Sequence, residues 1–279
     1  MRSPLERAKP GGEPGPPDFV GVGAAGAGTR WWHSLLLAHP AIAPPRARRR
    51  ALHFFDGFCA REMTDADVAA YHARFPRRDG AIAGEWTGRY MFDAWTPPLL
   101  RRAAPGAKLL VMLSDPIERY RAVFTERLAK RSDGDRLYMA DVVDRRSFGA
   151  QLARLQRFYD PERILVLQFE RCRRDPAGEY RRTLEFLGVR DTAFAPRRLR
   201  LGGGGSLARL MPRRVAERLA GRPVAEREHA PLWPDLEAAL HTALDPDVEA
   251  LSDLVPLLDL SLWPNFAHLA TRAPAAAVR

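Results

Sequence analysis

Short, continuous runs of apolar residues alternate with helix-like segments through the middle of the chain. The runs lie at 19–22, 108–113 and 163–170, and their length is typical of strands buried in a parallel sheet. A helical pattern follows each run, and these helices are predicted over 29–38, from 116 onward and over 175–189. Three such strand–helix units predict an α/β fold, with a central parallel sheet and helices on both faces.

Cap and turn residues set the limits of these helices. His39-Pro40 ends the first helix, Ser114 or Asp115 caps the second, and Gly188 closes the third. Weaker patterns predict a helix over 65–75 with Thr64 as its N-cap, a strand or loop over 84–91 and a short helix over 97–103.

The ends of the chain carry less pattern than its middle. Residues 1–16 are rich in Pro and Gly and are expected to form a flexible lead, 17–270 a single domain and 271–279 a flexible tail. After a glycine-rich loop at 200–206, which is expected to be flexible, short helical stretches are predicted. Trp233 and Trp263 are the expected core anchors of that region.

Composition narrows the function classes. The net charge is +10, but only three of the 44 basic residues are lysines, which favours a solvated basic surface over a nucleic-acid partner. The sequence has no recognisable signal peptide and no stretch of about 18 apolar residues. We therefore expect no membrane insertion and a cytoplasmic location. Cys59 and Cys172 have no metal-ligand spacing; reduced thiols and no metal are expected.

The first strand–helix turn, VGVGAAGAGTRWW at 20–32, has the small residues of an anion-binding loop. Backbone N–H groups and the helix dipole favour an anion at such a turn. The backbone and hydroxyl groups expected to bind it belong to Gly23, Ala25, Gly26, Ala27, Gly28 and Thr29. The GK[ST] of ATP-binding loops is missing, which disfavours a kinase or other P-loop NTPase.

The flanks of this loop extend the pattern. The segment PDFVGVGAAGAGTRWWHSLLLAHP at 17–40 resembles the phosphosulfate-binding loop of sulfotransferases, whose usual form is close to PDFxxxGxxKAGTTxLxxxLxxHP. RALHFFD at 50–56, GEWTGRYM at 84–91 and KLLVMLSDPIERYRAVF at 108–124 resemble KExHFFD, EKTPxYx and KLLxxLRDPxxRxxSxY, especially in the heparan-sulfate-like branch. The resemblance covers about residues 17 to 190 and implies a three-layer, P-loop-like α/β fold.

The resemblance also implies an activity. A sulfotransferase moves a sulfuryl group from 3′-phosphoadenosine 5′-phosphosulfate (PAPS) to a hydroxyl or amine, here of a carbohydrate, lipid or small-metabolite acceptor. Such a transfer needs stabilised charge on the leaving phosphate and a base for the acceptor's proton. In the family a loop lysine meets the leaving phosphate, and an arginine and a serine hold the 3′-phosphate.

Several positions that carry this chemistry depart from the family pattern. The loop lysine is Gly26, the glutamate of KExHFFD is Ala51, the lysine of EKTP is Trp86, and the arginine and serine of the 3′-phosphate element are Ser114 and Ala122.

Two hypotheses explain these departures. In the first, the site is rebuilt. Arg30 supplies the missing cation, and Arg119 holds the 3′-phosphate together with the Ser114 hydroxyl, with Arg121 as a further candidate for that contact. His53 or Glu85 is the base. In the second, the chain is a weakened or inactive relative that binds a nucleotide or a protein partner. Each rebuilt residue also has a structural alternative: Arg30 pointing to solvent, Arg119 paired with Asp115 or Glu118, and hydrogen-bonded roles for His53 and Glu85.

Overall fold

The computed structural model describes residues 13–47, 51–77, 79–122, 147–189 and 231–270. The strands are β1 Phe19–Gly23, β2 Ile42–Ala43, β3 Ile82–Trp86, β4 Lys108–Leu113 and β5 Ile164–Gln168. The helices are α1 Thr29–Leu36, α2 Asp65–His72, α3 Thr96–Ala103, α4 over 116–122, α5 Phe148–Gln156, α6 Phe169–Arg174, α7 Pro176–Leu187 and α8 Pro234–Leu254. Two 3₁₀ turns follow, Leu260–Leu262 and Pro264–Leu269.

The strands form one parallel sheet in the order β2-β3-β1-β4-β5, which confirms the predicted fold class. All residues of β1 are buried, because this central strand has a neighbour on each side and helices around it. The chain runs from β1 to β2 and β3 on one side, then crosses to β4 on the other. The carboxyl ends of β1 and β4 therefore flank the point where the direction of winding reverses, which is where open α/β sheets bind ligands.

Helix packing fixes the loop after β1. The Trp32 indole of α1 donates to the Thr183 hydroxyl of α7 over 3.2 Å, and the Tyr180 hydroxyl of α7 donates to the Leu35 carbonyl over 3.2 Å. Burial of Trp32 and Tyr180 contributes about 1.5–3 kcal/mol each, by area. These contacts hold α1 against α7.

The expected caps are present. Thr64 and Asp67 form a reciprocal capping box at α2, and Gly188 closes α7 with φ 78°. At α4 the cap is Asp115 rather than Ser114, since its Oδ1 accepts from the amides of Ile117 (2.9 Å) and Glu118 (3.1 Å).

The C-terminal part corrects two expectations. Residues 234–254 form one helix rather than short stretches, because Pro234 starts it and Pro246 is accommodated in its interior. Trp263 is a buried anchor, but Trp233 is 53 % exposed. The glycine-rich loop at 200–206 and the tail at 271–279 lie outside the described residues. Among the described helices, none has both the length and the apolar character needed to span a bilayer.

Candidate functional site

The loop of glycine and alanine residues at 24–28 leads from β1 into α1 at the carboxyl edge of the sheet. Gly26 and Gly28 have φ values of 80° and 87°, a left-handed conformation that glycine adopts at little cost. The Ala24 amide donates to the Met112 carbonyl (2.8 Å) and the Ala27 amide to the Ala24 carbonyl (3.1 Å). Ala25 and Gly26 are exposed, so this part of the loop is open to solvent, whereas the Phe169 ring packs against Gly28.

Arg119, on α4, reaches across to this loop. Its guanidinium lies so close to Gly26 that a Cβ at that glycine would overlap both Nη atoms. Gly26 occupies the sequence position of the lysine in the sulfotransferase pattern. The fold therefore brings a cation from another helix to the place where the loop itself carries none.

Ser114 lies directly after β4, at the same edge of the sheet. It is 6 % exposed, and its buried hydroxyl has no hydrogen-bond partner among the described residues. Buried hydroxyls normally have a partner, so this one is available to a ligand oxygen or a water molecule. The neighbouring Asp115 is occupied as a helix cap and accepts from the side-chain amide of Asn265 (2.9 Å).

The end of β3 packs against the other side of the loop. The Trp86 indole donates to the Gly23 carbonyl (3.1 Å), and its ring fills the space above Gly21. A Cβ on Gly88 would lie 2.9 Å from the Ala25 Cα. Trp86 occupies the position of the lysine in the EKTP pattern and Gly88 that of its proline, and both support the loop backbone by contact and contribute no charge.

Glu85 is fully buried beneath this segment. Its carboxylate accepts hydrogen bonds from the hydroxyls of Thr87 (2.7 Å), Tyr71 (3.0 Å) and Tyr90 (3.2 Å), and from the Leu52 amide (3.3 Å). Burial raises the pKa of the Glu85 carboxyl, while these hydrogen bonds oppose the shift. In this position Glu85 organises the polypeptide around it and has no surface for an acceptor molecule.

His53 stands on the outer side of that network. Its backbone amide donates to the Thr87 hydroxyl (3.3 Å), and its Nδ1 lies 3.0 Å from Asp56 Oδ2. The imidazole side chain is 48 % exposed, and φ is 51°. A histidine whose Nδ1 is held by a carboxylate presents Nε2 outward, which is the arrangement of an oriented general base.

The remaining sequence candidates have different surroundings. Arg30, in the first turn of α1, is exposed, while Thr29 is buried at the start of that helix. Arg121 forms ion pairs with Glu118 (2.6 Å) and Glu237 (2.8 Å).

Sequence reasoning passed over Thr87, whose hydroxyl joins Glu85 to the amides of Leu52 and His53. The signal was its place in the TxxY part of GEWTGRYM, which also contains Tyr90. It also missed the contact between Arg119 and Gly26, which no local pattern encodes.

Comparisons with known proteins agree with this architecture. No protein-family model matches the chain. The chain is 28 % identical over 189 residues to human heparan sulfate glucosamine 3-O-sulfotransferase 3B1, covering 62 % of this chain and 46 % of that protein. It is also 28 % identical over 188 residues to mouse heparan sulfate glucosamine 3-O-sulfotransferase 6, covering 62 % and 53 %. The chain spans about half the length of the curated relatives it matches.

Solved structures show the same fold. A sulfotransferase from Alicyclobacillus acidocaldarius superposes with a TM-score of 0.63 at 24 % identity, covering 88 % of this chain and 98 % of that one. The sulfotransferase domain from the curacin biosynthetic pathway gives 0.50 at 11 % identity, covering 84 % and 99 %.

The parallel sheet, with a glycine-rich loop after its central strand, defines a P-loop-like α/β fold. Within that fold, the chain is a relative of the sulfotransferases.

Proposed function

We propose that the chain is a PAPS-dependent sulfotransferase with a rebuilt donor site. The observation that carries the proposal is the Arg119 guanidinium against Gly26, because it supplies a cation at the position where the family pattern has its loop lysine. The named activity of the heparan sulfate relatives, at 28 % identity, supports the reaction class.

The donor side of the site follows from the loop. The amides of Ala25, Gly26, Gly28 and Thr29, with the positive end of the α1 dipole, are suited to the 5′-phosphosulfate. The bound nucleotide supplies a sulfuryl group whose bond to the 5′-phosphate breaks, leaving the electron pair on that phosphate. We assign Arg119 to that developing charge, and Arg30 to a weaker, solvent-exposed contribution at the helix entrance.

The 3′-phosphate needs a separate contact. The sequence predicts Arg119 for this contact, but we propose that its guanidinium, which lies against Gly26, acts at the loop. We assign the 3′-phosphate to the Ser114 hydroxyl, whose burial without a partner among the described residues fits a ligand oxygen. One hydroxyl binds a phosphate less tightly than the arginine–serine pair of the family pattern, so weaker nucleotide binding is expected.

The acceptor side lies at His53. The acceptor hydroxyl or amine gives up its proton as its bond to sulfur forms, and the exposed imidazole is our candidate for receiving that proton. Glu85 is proposed as a positioning residue, since through Thr87 it holds the backbone of 52–53 in place. The names of the relatives favour a carbohydrate hydroxyl, within a class that includes lipid and small-metabolite acceptors.

A weakened relative that binds the nucleotide without efficient transfer is the second candidate. The observation that favours it is the loss of charge at Trp86, whose ring is committed to packing on Gly21. Loss of one transition-state cation in a dry site costs about 100- to 1000-fold in rate.

Titration with 3′-phosphoadenosine 5′-phosphate tests the donor site. We expect wild-type protein to bind it and Arg119→Ala to lose about 10- to 100-fold in affinity, the loss of one charge-assisted hydrogen bond. Arg101→Ala, on the exposed side of α3, removes the same charge elsewhere and should bind like wild type. An equal loss of affinity in both variants would show that the effect arises from net charge and not from the contact with the loop. Absence of binding by wild type would reject the proposed function.

Transfer is tested separately with labelled PAPS and a panel of carbohydrate, lipid and metabolite acceptors. Transfer that falls in His53→Ala, with nucleotide affinity unchanged, supports the proposed base. Nucleotide binding without transfer to any acceptor supports the weakened relative.

A further inference from the structure

A cluster of potential metal ligands lies on the C-terminal part of the chain, outside the transfer site. His241 and Asp245 are four residues apart on α8, so their side chains project from the same face of the helix. His268 comes from the 3₁₀ turn Pro264–Leu269. Asp245 Oδ1 is 3.0 Å from His241 Nδ1, and Asp245 Oδ2 is 2.9 Å from His268 Nε2.

The spacing of these atoms is close to that of a metal site. One ligand atom from each residue lies within 4.8 Å of the others. Ligands of a tetrahedral Zn²⁺ at its usual bond lengths are about 3.3 Å apart, so small side-chain rotations would bring all three to one centre. Two imidazoles and one carboxylate are ligands that Zn²⁺ accepts, with a water molecule in the fourth position.

The surroundings hold the imidazoles in place and leave a path for an ion. The Phe266 ring packs against His241 with centroids 5.7 Å apart and stacks on His268 at 6.4 Å. The side chains of His241 and Asp245 are 27 % and 28 % exposed, and that of His268 is 49 % exposed. The cluster is therefore ordered by packing on one side and open to solvent on the other.

We propose that His241, Asp245 and His268 bind a zinc ion that fastens the Pro264–Leu269 turn to α8. The same turn carries Asn265, whose side-chain amide donates to Asp115 (2.9 Å) and Glu118 (3.2 Å) at the start of α4. Arg121 of α4 pairs with Glu237 of α8. The zinc ion would thus stabilise the scaffold behind α4, and the proposal is independent of whether the chain transfers sulfate.

Calorimetric titration of the metal-free protein with Zn²⁺ is the first test. We expect one ion per chain and a rise in Tm of about 5 °C at a hundredfold excess over Kd. Titration with Co²⁺ should give the visible absorption of a four-coordinate site. Absence of stoichiometric binding would overturn the proposal and leave the cluster as a carboxylate hydrogen-bonded to two histidines.

Variants locate the ion. His268→Ala and Asp245→Asn should each weaken Zn²⁺ binding at least tenfold and remove the rise in Tm. A far-UV circular dichroism spectrum identical to that of wild type would show that each variant is folded. His53→Ala is the matched control, because His53 also contacts an aspartate at 3.0 Å but lacks a second histidine in that contact. Zn²⁺ affinity should be unchanged in this control, and an equal loss there would overturn the assignment.

Discussion

Glu170→Gln is expected to remove a pH-dependent loss of stability. The Glu170 carboxylate accepts from the Asp115 amide (3.1 Å) and the Trp263 indole (2.9 Å), which ties α6 to the start of α4 and to the C-terminal turn. Burial raises the pKa of Glu170 from 4.5 to about 7, with a further contribution from the nearby Asp115 carboxylate.

The sign of the effect follows from linkage. Because the folded carboxyl binds its proton more tightly than the unfolded one, its contribution to stability is complete below pH 4.5 and is lost as pH rises through about 7. Between pH 5 and pH 8, a shift of this size corresponds to about 2–3 kcal/mol of unfolding free energy. Wild type should therefore lose that much more stability than Glu170→Gln over this interval.

Urea unfolding at pH 5, 6, 7 and 8 measures the difference. Glu162→Gln, an exposed glutamate in the turn before β5, is the control and should follow wild type. Buried carboxyl groups away from Glu170 titrate equally in all three proteins, whereas Asp115 is coupled to Glu170, so the difference between the curves reports this pair. Parallel curves for wild type and Glu170→Gln would refute the argument that burial controls this group.

Three further predictions concern Glu85, Gly26 and the two cysteines. Glu85→Ala leaves the hydroxyl donors of Thr87, Tyr71 and Tyr90 without their acceptor in the core and should lower the free energy of unfolding by about 3–6 kcal/mol in urea titrations. Gly26→Lys restores the residue of the family pattern but should cost about 1–2 kcal/mol and weaken nucleotide binding, because φ is 80° and the new Cβ displaces Arg119. Of the two thiols, exposed Cys59 should react with Ellman's reagent in the native protein, and buried Cys172, whose pKa is raised by burial, only after unfolding.

The sheet was predictable because its signals are local. The apolar runs at 19–22, 108–113 and 163–170 contain strands β1, β4 and β5, since strands of a parallel sheet that is covered by helices on both faces are apolar on both faces. The two-residue β2 carries too little pattern to be found. Helix α6 was not predicted, because it follows β5 directly and its first residues continue the apolar run. The length of α8 was not predicted, because Pro246 indicates a break within the helix.

The candidate site was predictable in part for the same reason. The loop and the strand ends are sequence-local features, and they lie together because the carboxyl ends of parallel strands share one edge of the sheet. Tyr71 and Leu52, which contact Glu85, and His268, the third of the proposed zinc ligands, come from separate segments that only folding brings together. Burial of a glutamate in a strand pattern is likewise set by what packs on it, here Tyr71 and Tyr90.

The departure at Gly26 is linked to the position of Arg119 by one steric fact. A side chain at position 26 and the Arg119 guanidinium in its present place exclude each other, because a Cβ there would overlap both Nη atoms. Arg119 itself matches the second arginine of the KLLxxLRDPxxRxxSxY pattern, so the departure at Gly26 leaves room for a cation that the pattern already contains. If Arg119 performs the task of the lysine, Gly26→Ala should impair nucleotide binding nearly as much as Arg119→Ala, although it removes no charge. A Gly26→Ala variant that folds and retains wild-type nucleotide affinity would show that the site works without this contact.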